Sequence, residues 1–244
     1  MKLDEIRVQL EACENSIIFA LCERNRWCRN LQAYGSSTSS ESVPIVTPTS
    51  PTSLFYRLLE GTETVHASVG RYACPEEHPF TTIPEERTDG ILPKSYHIGI
   101  FLDPEETRIN HNDRIIHLYF QTILPMITEP GSCENPGSSV TADVHLLQAM
   151  SRRIHLGKVV AESKYRRDPH LFSPTSSDQE LLKQITHIKV ENCILDRIRT
   201  KVQRLEGQSS PPSVWSERVV SVFRDIIIPE TKQVQILYLR AKWK

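Results

Sequence analysis

Apolar residues recur along this chain at alternating three- and four-residue steps. In the first segment Leu3, Ile6, Leu10, Cys13, Ile17 and Ala20 follow that rule. The spacing predicts an amphipathic helix over 2–25, with one face turned to a core. The same period returns at 54–72 and 111–127, from about 139 to 165, at 178–186 and 190–206, and over 216–243 with a kink at Pro229. Between these runs lie breaks. Residues 34–53, YGSSTSSESVPIVTPTSPTS, are dominated by Ser, Thr and Pro. Such a segment buries too little to offset its ordering entropy, which predicts a mobile loop. Residues 75–107 are punctuated by proline, 129–139 (EPGSCENPGSS) and 168–177 read as loops, and 207–213 breaks the chain. No segment alternates with period two, and none repeats at a fixed interval. The pattern predicts an all-α fold, a single-domain bundle of long helices spanning 1–244.

Composition narrows the function classes. With 244 residues and 39% hydrophobic content the chain can enclose a substantial core. A net charge of −1 predicts no nucleic-acid partner. The apolar runs fall well short of the roughly 18 residues a membrane span needs. Acids and amides interrupt the first apolar run, MKLDEIRVQLEACENSI, so no signal peptide is expected and the protein reads as cytoplasmic. The six cysteines make neither a CxxC pair nor a Cys/His pattern with zinc spacing. Reduced thiols and no metal site are the expectation.

The inner faces carry polar groups that an ordinary bundle would exclude. Arg7 sits between Leu3 and Leu10, on or beside the apolar stripe of the first helix. In SRRIHLGKVVAESKY, residues 151–165, Arg153 and Lys164 are eleven residues apart, close to three whole turns, so they share a face. Small residues, Gly157, Val160 and Ala161, lie between them. Glu191 opens the apolar run of Val190, Cys193 and Ile194, and Thr231 and Gln235 are one turn apart on a last helix that is otherwise largely apolar. An arginine beside an apolar stripe ordinarily covers it with its stem, and a core glutamine ordinarily serves the backbone. The pair Arg153 and Lys164 is harder to account for that way. Buried cations need anions, and nothing on their own face supplies one. An external dianion enclosed between helices would satisfy them. The set holds no activated nucleophile, metal cluster or glycine-rich phosphate loop. It suits a reaction that needs only positioning and charge stabilisation, or plain binding of a small organic acid.

The chain resembles the eukaryotic, fungal-type all-helical chorismate mutases. The likeness is carried by IRVQLEACENSIIFALCERNRW at 6–27, INHNDRIIHLYFQTILPMI at 109–127, SRRIHLGKVVAESKY at 151–165 and IIIPETKQVQILYL at 226–239, with HASVGRYACPEEHPF and VENCILDRI in support. The resemblance implies a cofactor-free Claisen rearrangement of chorismate to prephenate, in aromatic amino-acid or related secondary-metabolite biosynthesis. It implies that Arg7 and Arg153 hold the two substrate carboxylates and Lys164 the ether oxygen. Glu191 would take the ring hydroxyl, and Thr231 and Gln235 would line the ether and carboxylate side. The small residues after Arg153 would leave the ligand room. It further implies a homodimer with a tyrosine or tryptophan site at Arg71, Asn135, Gly137, Ser138 and Thr141.

Three positions depart from the family pattern. Gln235 replaces the usual glutamate; an amide donates a hydrogen bond at any pH, so activity should not require acid. His187 stands one turn before Glu191, where an amide or acid is usual, and could reshape the pocket. Gly70 replaces an arginine of the regulated fungal enzymes, which should weaken feedback control. A turn capping the long helix through Ser138 or Ser139 is the plain structural use of the effector loop. Two alternatives to an enzyme stand beside it: a non-catalytic relative binding chorismate or an aromatic amino acid, and a helical scaffold with no ligand.

Overall fold

The computed structural model describes residues 3–35, 52–83, 102, 108–207 and 213–243. Most of the predicted 34–53 loop lies outside these residues. Its first residue, Tyr34, belongs instead to a 3-10 turn, Leu31–Tyr34, and is buried in the core. Ser53 at its other end is also buried, and it caps the next helix by accepting from the Tyr56 amide.

Helix α1 spans Leu3–Asn25 and α2 Leu54–Ser68. Helix α3, Asn112–Leu118, continues through a π turn, Tyr119–Ile123, into α4, Leu124–Ile127. Then come α5, Pro136–His155, and α6, Gly157–Arg167. Helices α7, Asp178–Ile185, and α8, Ile188–Leu205, follow as the separate pair that the spacing allowed. Finally α9, Val214–Val222, passes through a second π turn, Phe223–Ile227, into α10, Ile228–Lys242. Among the described residues there is no strand, and the all-α reading holds.

Both π turns lie just ahead of a proline. Pro125 and Pro229 cannot donate to the helix ladder, and their rings would strike the carbonyl four residues earlier. Those carbonyls, of Gln121 and Asp225, fall inside the wide turns, where the backbone is displaced. Pro229 then occupies the first turn of α10. The expected kink is therefore a π turn followed by a restarted helix.

The helix expected over 139–165 is two helices with Leu156 between them. It also starts earlier than expected. Asn135 is the N-cap, accepting from the Ser138 amide at 3.1 Å, with Pro136 in the first turn. The Ser139 hydroxyl instead donates to the Pro136 carbonyl and the Ser138 side chain plays no cap role, so the serine-capped turn is corrected.

The core gathers α1, α2, α5, α9 and the two π turns around Ile18, Phe55, Phe120 and Met150. Inside it sits a charged cluster. Arg24 is fully buried and its guanidinium bonds Asp143, which also accepts from Tyr34 and Tyr119. Burial works against the charge on Arg24, but Asp143, Tyr119 and Tyr34 together outweigh it and hold the guanidinium's pKa above its ordinary value. Alongside, α10 packs along α6 and α5, while α1 runs along α5 and reaches α6 and α8. These contacts leave a gap where α1, α5, α6, α8 and α10 converge.

Candidate active site

That gap is a cavity of about 320 Å³. Arg7, Arg153, Lys164, Glu191, Thr231 and Gln235 all line it, as does His187. The seven residues come from α1, α5, α6, α8 and α10, with His187 at the N-cap of α8. Burial differs among them. Arg153 is 3% exposed, whereas Arg7 and His187 are exposed at the mouth. Leu10, Val160, Ile185, Ile194 and Ile228 make the wall apolar.

Arg153 is held from behind. Its Nη2 lies 3.8 Å from Oε1 of Glu14, a buried acid on α1. Glu14 also accepts from Arg197 of α8 at 2.7 Å. Arg153 Nη1 donates to Thr231 Oγ1 at 3.3 Å, and among the described residues its buried Nε has no hydrogen-bond partner. Burial pulls the guanidinium's pKa down and Glu14 pushes it back. The anion beside Arg153 thus comes from another helix, α1, rather than from its own face. Glu14 lies beside the Cys13 position of the stripe, two turns after Arg7, and that spacing could have revealed it.

Lys164 donates to the Ile185 carbonyl at 2.7 Å and to Gln235 Oε1 at 3.2 Å. An ammonium only donates, so it is the amide oxygen of Gln235 that must face it. The Gln235 amide nitrogen donates to the Thr231 carbonyl at 3.3 Å. Gln235 thus orients Lys164 before it can serve any ligand. Burial lowers the Lys164 pKa from 10.5 to about 8; Glu191 opposes the shift, and Arg167 and Lys232 add to it. Lys232, absent from the sequence reading, is half the answer to Glu191: both carboxylate oxygens take its ammonium, at 3.0 and 3.1 Å.

Gly157 has a different role from the one expected. A Cβ placed there would lie 2.7 Å from the Thr231 carbonyl oxygen and 3.3 Å from its methyl. The missing side chain lets α6 and α10 approach; it does not make room for a ligand. Ala161 is likewise fully buried between helices, and of the three small residues only Val160 lines the cavity.

The effector residues are not one cluster within a chain. Asn135, Gly137, Ser138 and Thr141 form the first turns of α5. Arg71 bonds Glu77, His66 and Gln148. Gln148 is three turns along α5 from Gly137, about 16 Å away. Gly70 has φ of 77°, a left-handed conformation that an L side chain adopts only with strain.

The chain matches no protein-family model. Its relatives nonetheless leave no doubt of descent. It is 36% identical to the chorismate mutase of Schizosaccharomyces pombe, over 99% of this chain and 96% of that protein. It is also 36% identical to chorismate mutase 1, chloroplastic, of Zea mays, over 98% of this chain and 78% of the relative.

The chain belongs to the eukaryotic all-helical chorismate mutases.

The crystal structure of AtCM1 with tyrosine bound in its allosteric site has the same fold. It superposes with a TM-score of 0.84 at 32% identity, covering 100% of this chain and 97% of that one. Chorismate mutases therefore supply the frame for the cavity. Among the described residues no group of three His, Cys, Asp or Glu side chains could hold a metal ion, and no helix is long and apolar enough to cross a membrane. All six cysteines are free thiols.

Proposed function

We propose that this cavity rearranges chorismate to prephenate, with Arg7 and Arg153 taking the two carboxylates. What supports the reading is one observation: nine polar residues carried by five helices line a single cavity whose remaining wall is apolar. Lys164 faces the ether oxygen, which gains negative charge as its bond breaks. A positioned ammonium there stabilises the transition state more than the ground state. Glu191, steadied by Lys232, accepts from the ring hydroxyl. Thr231 holds Arg153, and Gln235 holds Lys164. The apolar wall excludes water and strengthens each of these charges.

The chain acts as a single domain over 1–244, in the cytoplasm, as a homodimer. Its feedback control by tyrosine or tryptophan is weak, because Gly70 supplies no cation where a regulated fungal enzyme has one. Loss of chorismate by ultraviolet absorbance tests the activity, and Lys164→Ala should lower turnover by about 10²–10³-fold. Binding of chorismate without turnover would instead make this a non-catalytic relative. Absence of both would leave a scaffold.

A further inference from the structure

The cavity holds more positive charge than the reading above uses. Five cations line it, Arg7, Arg153, Lys164, Arg167 and Lys232, against the single carboxylate of Glu191. Lys232 is committed to Glu191, Arg153 to Glu14 and Thr231, and Lys164 to Ile185 and Gln235. Arg167 differs. It closes α6, three residues after Lys164, so the two share a face. Its side chain is 57% exposed, and its Nε donates to Asp168 at 2.6 Å. Among the described residues its two terminal nitrogens make no hydrogen bond. Asp168 therefore fixes the root of the guanidinium and leaves its fork unspent at the mouth.

On the functional reading just given, we propose that Arg167 is a capture residue for the dicarboxylate substrate, drawing it to the cavity mouth and passing it to the cations beneath. An exposed charge beside a low-dielectric cleft raises the local concentration of an oppositely charged ligand. It also acts on Lys164, the cation below it. The groups facing Lys164 are Glu191 from α8, Lys232 and Gln235 from α10, the Ile185 carbonyl from α7 and Arg167 on its own helix. Removing Arg167 removes one of the charges that make Lys164 acidic.

The test compares wild type with Arg167→Gln, Arg167→Lys and the control Arg166→Gln, whose guanidinium lies on Glu162 outside the cavity. At low ionic strength Arg167→Gln should raise KM about three- to tenfold with kcat unchanged. The difference should vanish near 1 M salt, where the screening length falls to about 3 Å. Arg167→Lys should recover most of the loss, and Arg166→Gln should match wild type. Independently of turnover, NMR titration of labelled lysine should place the Lys164 midpoint higher in Arg167→Gln than in wild type. A KM that is unchanged, or raised equally at all salt concentrations, overturns the capture role. If wild type binds chorismate without turnover, the mutase reading fails, and calorimetric affinities of the same variants still decide the role of Arg167. If wild type neither binds nor turns over chorismate, both fall.

Discussion

Replacing Gly157 by alanine adds one methyl group where α6 meets α10, and it separates two explanations for that glycine. The new Cβ would stand 2.7 Å from the Thr231 carbonyl oxygen, a backbone atom that cannot rotate away. Ordinary contact is roughly 0.5–0.8 Å longer, so the helices must part by about that much. Overpacking of this kind costs about 1–3 kcal/mol. Alanine gives back at most about 1 kcal/mol through helix propensity. The net loss should be about 1–2 kcal/mol, which for a chain of this size lowers Tm by roughly 2–8 °C. Activity should fall too, because Thr231 is the hydroxyl that receives Arg153 at 3.3 Å. Thermal and urea unfolding of Gly157→Ala, with kcat and KM measured alongside, check both effects. Parental stability with only KM raised would mean that the glycine serves ligand space, and the packing argument would be wrong.

Three more predictions rest on charge. Lys164 must be protonated to stabilise the ether oxygen, so kcat/KM should be level from acid to neutral pH and fall tenfold per unit above about 8; a profile that climbs steeply below neutrality would sink the roles given to Lys164 and Gln235. Lys158 is fully buried against His78 and the Ile109 carbonyl, and burial lowers its pKa from 10.5 to about 7. Between those values the unfolded chain binds the extra proton, so this group makes stability rise with pH from about 7 to 10.5, by up to about 1.4 kcal/mol per unit; urea titrations across that window should show the slope in wild type and lack it in Lys158→Met. Asp143→Asn takes the charged partner from Arg24 and should destabilise by about 3–5 kcal/mol, read as a lower urea midpoint at unchanged m-value.

Helical periodicity was legible because a soluble helix must turn one face to the core, and the spacing of Leu10, Cys13 and Ile17 records that face directly. It does not record what the face meets. Tyr34 looked like part of a low-complexity loop, yet it is buried, since it is ordered by Arg24 on the preceding helix and by Asp143, which comes from a distant segment. Arg153 and Lys164 stood out because charges at core spacing break the pattern. Lys232 and Arg167 did not stand out, because a cation beside a stripe looks like any solvated residue; Glu14, two turns after Arg7, had the spacing, but only the packed helices show that it is buried.

From the sequence alone came the helical segments, three of which the structure breaks in two, the convergence of unlike polar groups on inner faces, and the family resemblance those groups carry. Only the tertiary structure decided which cations are already answered within the protein, which keep donors free, and why position 157 is glycine. The reason is physical. Periodicity is a local property of one helix, whereas neutralising a buried charge and fitting two backbones together are properties of pairs of helices that the chain order keeps far apart.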